Sequence, residues 1–289
     1  MPGRHPTLRD ILTAARTEFS ARAVDSPRLC AEVLLAHVLG LDRTGLLLRM
    51  NDPMPEEAAA RFEALAARRA TGEPLAYILG EREFYGLDFA VTRATLIPRP
   101  ETELVIDRAL ELFSRQAPLR FADLGTGSGC LAVTLAVHFP NASGVAVDLS
   151  AAALTVAREN AARHGVADRL EFLEGDFGRL DETAGGYDLI VSNPPYVTEA
   201  EMGELSREVA DFEPHGALVS GPEGLDAIRA VAAIARRKLA PGGIFLMEMG
   251  CGQGEAVRNL LESPPLSFEG VTIHKDLAGL DRMAEGRAP

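Results

Sequence analysis

RFADLGTGSGCLAVTLAVHF, residues 120–139, decides the fold. RFADL reads as a strand and CLAVTLAVHF as a helix, joined by Gly125-Thr126-Gly127-Ser128-Gly129. Glycines there let the chain turn sharply and let a ligand approach the main chain closely. Ligands of open α/β sheets sit beyond the carboxyl ends of strands, and this loop is at such an end.

Working outward, strands and helices alternate. SGVAVDL reads as a strand, AAALTVARENAARHG as a helix, and RLEFLEG and YDLIVSN as strands. GLDAIRAVAAIARRKL reads as a helix, GGIFLMEM as a strand and QGEAVRNLLE as a helix, with terminal strands in LSFEGVTIH and near Leu280. That alternation predicts a mainly parallel sheet covered by helices on both faces.

Upstream the texture differs. Leu8, Ile11, Leu12, Ala15 and Phe19 recur at helical spacing. Ser26-Pro27 predicts an N-cap followed by proline at the first helical position, and Gly40 a helix stop. A further helix is expected over about Pro55–Arg69. REFYGLDFAVT, residues 82–92, predicts a β-hairpin around Gly86. Ile97-Pro98-Arg99-Pro100 must be extended, because proline restricts both itself and its predecessor. A helix is expected from about Glu101, with Glu101 and Glu103 in its first turn, where the dipole favours acids. The division expected is a helical bundle at 1–80, a hairpin linker at 81–96 and an α/β domain at 97–289.

Composition narrows the function classes. Hydrophobic residues are 47% of the 289 and tryptophan is absent, so the core rests on aliphatic side chains. No apolar run approaches the roughly 20 residues of a membrane span, and MPGRHPTLRD lacks the apolar stretch of a signal peptide. A cytoplasmic location without a membrane partner is expected. Cys30, Cys130 and Cys251 are far apart, and the six histidines form no H-E-x-x-H cluster, so no metal site is expected. Net charge is −13 and falls wholly on residues 81–289, which hold 19 basic and 32 acidic residues. A nucleic-acid binder needs a basic face to replace phosphate counterions, so no direct nucleic-acid partner is expected.

The glycine loop is not the dinucleotide fingerprint G-x-G-x-x-G, because the sixth position from Gly125 is Cys130. G-x-G-x-G preceded by Asp123 instead resembles the cofactor loop of class I S-adenosylmethionine methyltransferases. That resemblance assigns Gly125, Thr126, Gly127, Ser128 and Gly129 to S-adenosyl-L-methionine. Asp148 ends the next strand, where a carboxylate can accept from both ribose hydroxyls or cap the following helix. Ser150 can do the capping, which leaves Asp148 for ribose. Gly175-Asp176-Phe177 ends the third strand. In this family of folds that corner flanks adenine, with Phe177 on the ring face; Phe177 serves equally as core.

YDLIVS runs directly into Asn193-Pro194-Pro195-Tyr196. Prolines lack an N–H, so carbonyls here have no local donor to claim them. The Asn193 side chain adds an acceptor, and Tyr196 offers a flat face. Acceptors aimed at one point suit a substrate –NH2 group. Amide and aryl amine nitrogens are poor nucleophiles because the lone pair is delocalised. Holding both hydrogens orients the nitrogen and favours the geometry it must reach. Asn193, Pro194, Pro195 and Tyr196 are the candidate catalytic residues, with Asn193 also beside the cofactor. The motif by itself serves DNA, RNA and protein amino-methyltransferases alike.

The whole chain resembles the release factor glutamine methyltransferases, the HemK-type enzymes. The resemblance rests on Asp25-Ser26-Pro27-Arg28-Leu29, Gly72-Glu73-Pro74-Leu75-Ala76-Tyr77-Ile78 and Arg82-Glu83-Phe84-Tyr85-Gly86. It continues through Leu96-Ile97-Pro98-Arg99-Pro100-Glu101-Thr102-Glu103, Phe212-Glu213-Pro214 and Asp276-Leu277-Ala278-Gly279. Val219-Ser220-Gly221 stands where the family often has paired glycines, and Phe177 where some members have tryptophan. The resemblance implies a class I methyltransferase fold, Rossmann-like with a mainly parallel seven-stranded sheet, plus a small N-terminal helical bundle that helps hold substrate. It implies methyl transfer to the glutamine N5 of the Gly-Gly-Gln loop of peptide chain release factors, with Arg99 or Glu101 beside the site. The alternatives are a ribosomal-protein glutamine methyltransferase, a nucleic-acid amino-methyltransferase and a non-catalytic protein that binds S-adenosylmethionine or a nucleotide.

Overall fold

The computed structural model describes residues 6–289, so the first five residues of the expected bundle lie outside the described residues. The chain divides into two compact units, one of residues 1–80 with Ser206–Phe212 and the other of Glu81–Leu205 with Glu213–Pro289.

The first unit is helical: α1 (Leu8–Ala21), α2 (Pro27–Leu39), α3 (Arg43–Leu48), α4 (Glu56–Ala70) and α5 (Leu75–Leu79). Leu8, Leu12, Ala15 and Phe19 are the buried stripe of α1, as their spacing requires. Thr7 and Asp10 cap that helix reciprocally, and Gly40 ends α2 in the left-handed region. Ser26 departs from expectation. It precedes Pro27, but sits at φ 48°, ψ 53° and makes no side-chain cap bond. An N-cap hydroxyl reaches its amide from extended backbone, which a left-handed residue does not supply. Arg69 is 2% exposed. Its Nη1 donates to the Glu73 carbonyl at 2.9 Å and its Nη2 to Glu208, which fastens Ser206–Phe212 to this unit.

The second unit begins with the hairpin β1 (Glu81–Phe84) and β2 (Leu87–Ala90), turning through Tyr85 and Gly86, both with positive φ. Phe84 and Phe89 belong to the core of this unit. A single 3-10 turn over Pro100–Thr102 precedes α6 (Glu103–Leu112), so the regular helix starts two residues later than the acids suggested. Glu103 is tied down there by accepting from the Tyr85 amide at 2.9 Å.

The alternating region is β3 (Arg120–Leu124), α7 (Cys130–His138), β4 (Ser143–Asp148), α8 (Ala151–Arg163), β5 (Leu170–Glu174) and β6 (Tyr187–Ser192). After α9 (Arg207–Phe212) come α10 (Asp226–Lys238), β7 (Leu239–Glu248), α11 (Gly254–Glu262), β8 (Glu269–Lys275) and β9 (Asp281–Arg287). The seven-stranded sheet has the order β5-β4-β3-β6-β7-β9-β8. β3 to β7 are parallel, and β9 is antiparallel to both β7 and β8. Two apolar clusters take up residues from alternate positions of the strands, Phe121, Leu189 and Leu246 in one and Ala122, Ile190 and Phe245 in the other. The order reverses at β3, whose successor β4 lies on one side and β6 on the other, which opens a crevice at its carboxyl end.

Candidate active site

Register places the site. Leu124 pairs with Val147 on one side and Ser192 on the other, and Ser192 pairs with Met247. Gly125, Asp148, Asn193 and Glu248 therefore leave the sheet side by side. The Ser192 hydroxyl donates to the Leu124 carbonyl at 2.6 Å, locking the two central strand ends together.

The loop after β3 is held by its neighbours. The amides of Gly125 and Thr126 both donate to the Val147 carbonyl, at 2.9 and 3.0 Å. The Gly127 amide donates to Asp148 Oδ2 at 2.8 Å. Gly129 has φ +81°, and a Cβ there would lie 3.1 Å from Ala157 Cβ, so α7 can start this close to α8 only on glycine. Ser128 is buried and its carbonyl accepts from Asn160 Nδ2 at 2.8 Å. The same Asn160 pairs with both backbone groups of Ala90, so the hairpin and the loop share one anchor.

Asp148 Oδ1 accepts from the Ser150 amide at 2.9 Å, while Ser150 Oγ accepts from the Ala153 amide at 3.1 Å. Ser150, not Asp148, caps α8. Each Asp148 oxygen has one local donor and a second lone pair to spare. Burial pushes this carboxyl above its ordinary range, against the two amide bonds. Asp123 is 1% exposed. Its Oδ2 accepts from Thr126 Oγ1 at 2.6 Å and the Ala132 amide at 3.2 Å, whereas its Oδ1 has no partner among the described residues. Burial pushes Asp123 up to about 7.

These groups line a cavity of about 840 Å³ within the second unit, in the range of small-molecule sites. All five residues Gly125–Gly129 except the third glycine line it, as do Asp148, Phe177, Asn193 and Pro195. Phe177 also packs against the core, with its ring edge 3.5 Å from where a Gly125 Cβ would stand. Leu149, 76% exposed, and the exposed Asp176 add to the wall. Cys130 lines it as well, and burial raises its thiol to about 12, so it is not a nucleophile at neutral pH.

The loop after β6 is held by residues far away in sequence. Asn193 Nδ2 donates to Thr102 Oγ1 at 3.1 Å, and Thr102 Oγ1 donates to Glu248 Oε2 at 2.5 Å. Tyr196 OH donates to Glu248 Oε1 at 3.0 Å. Glu248 is 1% exposed, and burial raises its carboxyl although both hydroxyls favour the charged form. Burial and the adjacent carboxylate likewise raise the Tyr196 phenol. Gln253 Nε2 donates to the carbonyls of Tyr196 and Gly224, each at 3.1 Å. Asn193 and Pro195 reach the cavity; Pro194 is buried and, like Tyr196, is not part of the lining. The Tyr196 ring joins the second apolar cluster instead. Arg99 is engaged by the buried Glu213 at 2.6 Å, and Glu213 also accepts from the Ile97 amide at 3.2 Å.

Sequence reasoning missed Thr102, Asn160, Gln253 and Glu248. Glu248 carried a signal: it is an acid in the otherwise apolar run IFLMEM, and such a residue is buried only with partners.

The chain resembles known proteins over its whole length. The PrmC N-terminal domain family matches residues 10–80, and the methyltransferase small domain family residues 104–211. A release factor glutamine methyltransferase of Nitratidesulfovibrio vulgaris is 52% identical over 283 residues, covering 98% of this chain and 96% of that protein. One from Cereibacter sphaeroides is 49% identical, covering 97% and 98%. Among solved structures, the hMettl16 catalytic domain aligns with a TM-score of 0.53 at 16% identity, covering 77% of this chain and 81% of that one. That likeness is one of fold.

Proposed function

The chain belongs to the release factor glutamine methyltransferase family, and from that premise we propose how its cavity and strand-end loops methylate a glutamine side chain. It is an S-adenosylmethionine-dependent methyltransferase. The substrate we assign is the glutamine of the Gly-Gly-Gln motif of peptide chain release factors, modified at N5.

The residues around the glycine loop fit the cofactor. The unpartnered Asp123 Oδ1 faces a need for a donor, which the cofactor's ammonium meets. The spare lone pairs of Asp148 suit ribose hydroxyls, and Phe177 and Leu149 supply apolar walls for adenine. Gly125, Thr126, Gly127 and Ser128 bring backbone rather than side chains to the ligand, whereas Gly129 lies outside the lining and serves the close start of α7 against α8. When bound, S-adenosylmethionine supplies an electrophilic methyl group on a sulfonium centre.

The observation that carries the catalytic reading is that Asn193 has its Nδ2 committed to Thr102. Its Oδ1 is then the polar atom left for a substrate. We assign Asn193 Oδ1 and the Pro194 carbonyl to the two hydrogens of the substrate amide. Both acceptors hold the nitrogen in line and stabilise its N–H bonds as they become acidic during N–C bond formation. Pro195 fixes the backbone that carries them, and Tyr196 closes the loop beside the amide. The helical unit is assigned to holding the release factor. The acidic excess of residues 81–289 argues against a nucleic-acid substrate. No helix among the described residues is long and apolar enough to cross a membrane. A substrate of the translation machinery supports a cytoplasmic location.

Mass spectrometry of a purified release factor, incubated with the protein and S-adenosylmethionine, tests the assignment. A gain of one methyl on the Gly-Gly-Gln glutamine is expected. No gain, with the cofactor bound, would overturn the release factor as substrate and direct the same assay to ribosomal proteins.

A further inference from the structure

Glu248 is not itself part of the cavity lining and touches none of the acceptors assigned above, yet it accepts from Thr102, which lines the cavity, and both ends of Asn193-Pro194-Pro195-Tyr196 lead to it. Its place is fixed by register: it follows Met247, the partner of Ser192, and so stands beside Asn193 at the end of the neighbouring strand. An acid this deep is costly unless each oxygen has a donor. The donors are two hydroxyls, Thr102 on Oε2 and Tyr196 on Oε1.

The direction of these bonds matters as much as their existence. A carboxylate only accepts. The Thr102 hydroxyl has a single hydrogen, and Glu248 takes it. Toward Asn193 the same oxygen can therefore only accept, and the group it meets must be the Asn193 –NH2. An asparagine amide has two nearly equal faces by shape and differs only in which end donates. The carboxylate, acting through Thr102, removes that degeneracy.

We propose that Glu248 and Thr102 are positioning residues that set the polarity of the Asn193 amide, holding its oxygen toward the substrate nitrogen and its –NH2 away. The inference rests on the reading of Asn193 as an acceptor for the substrate amide. A flipped Asn193 would present –NH2 to –NH2, donor against donor, and would bind nothing. Shape alone cannot prevent the flip. Tyr196 contributes from the other side, because its bond to Oε1 keeps the Glu248 carboxylate from rotating away from Thr102. Gln253 Nε2 donates to the Tyr196 carbonyl, so the backbone that carries the hydroxyl donor is itself anchored.

Glu248→Gln keeps size and burial but gives position 248 a donor as well as an acceptor. Either end of the new amide can face Thr102, so the hydroxyl's direction becomes two-valued. Thr102→Val keeps the shape and removes the relay, and Thr102→Ser keeps the relay. We expect kcat on the release factor to fall about tenfold in Glu248→Gln and Thr102→Val, the scale of one lost orienting hydrogen bond. KM for the release factor and the Kd of S-adenosylhomocysteine should stay within about threefold of the parent, and Thr102→Ser should recover most of kcat. The double variant Glu248→Gln with Thr102→Val should be no slower than the worse single variant, because both break one chain.

A second measurement does not depend on turnover or on the identity of the substrate. With 15N-asparagine labelling, the Asn193 side-chain –NH2 pair is identified by its loss in Asn193→Ala. It should be a single sharp pair in the parent and split or broadened in Glu248→Gln and Thr102→Val. An unchanged pair in both variants overturns the inference, whatever the enzyme methylates. So does a kcat loss matched by an equal loss of cofactor affinity, which would mark a merely structural role. Absence of methylation by the parent enzyme would instead count against the release factor as substrate, leaving the resonance to decide the role of Glu248.

Discussion

The two loops that meet at the centre of the sheet are built in opposite ways. The loop after β3 is held by Val147 and Asp148 from the adjacent strand end, by Asn160 of the next helix and by its own Asp123 and Thr126, none more than 32 positions away. The loop after β6 is held by Thr102, Glu248 and Gln253, which lie 52 to 91 positions away in the chain. The first uses backbone amides and carboxylates to shape a pocket. The second uses a relay of side chains to aim one amide. A pocket for a large, flexible cofactor tolerates backbone lining, whereas aiming a single acceptor at a nitrogen needs a chosen donor–acceptor polarity.

That contrast predicts a division of labour. Asn193→Ala should have the largest effect, a fall in kcat of about 100-fold or more, the scale of removing one preorganised transition-state contact. Cofactor affinity measured by calorimetry should change little; equal losses in both would erase the distinction between the loops. Asp148→Ala should do the reverse, weakening cofactor binding by about 1–3 kcal/mol while kcat at saturating cofactor stays near the parent value. A binding isotherm that does not move would remove Asp148 from the cofactor site.

Gly224→Ala probes the far-held loop through packing. A Cβ there would lie 2.2 Å from the Tyr196 carbonyl, at a backbone with φ +69°. A loss of about 1–3 kcal/mol in denaturant stability is expected from the overlap, with turnover falling more than cofactor affinity. A variant as stable and active as the parent would show that the Tyr196 carbonyl is free to move.

The smallest effect concerns pH. Burial raises Asp123 to about 7, with the charge of Asp148 adding to it. In the ligand-free protein this acid binds its proton more tightly folded than unfolded. Its contribution to stability is thus fully present at low pH and is lost as pH rises from about 4 to about 7. The cofactor's ammonium pairs with the anionic form, so cofactor affinity should rise a few-fold between pH 6 and 7.5 with release of a proton. Titration calorimetry in two buffers of different ionisation enthalpy measures that proton. In Asp123→Asn the proton release should vanish; its persistence would place the linkage on another group.

The same contrast explains what could be read in advance. The glycine loop, the alternating strands and helices and Asn193-Pro194-Pro195-Tyr196 are local patterns, because backbone geometry and burial repeat over short spans. The Ser150 cap and the spare capacity of Asp148 were legible for the same reason, two residues apart on one strand end. Ser26 misled because its conformation depends on how α2 is reached, not on its own preference. Glu101 and Glu103 suggested a helix start that the Pro100 turn delayed.

The amino-acid sequence by itself determined the parallel sheet, the glycine loop at its carboxyl edge and the Asn193-Pro194-Pro195-Tyr196 turn assigned to the substrate. Each of these follows from hydrophobic period, glycine and proline, which act within a few residues. Only the tertiary structure decided that Glu248, through Thr102, faces Asn193. Strand register and the packing of Pro100–Thr102 bring them together, and a hydrogen-bond direction has no meaning until both partners share one place.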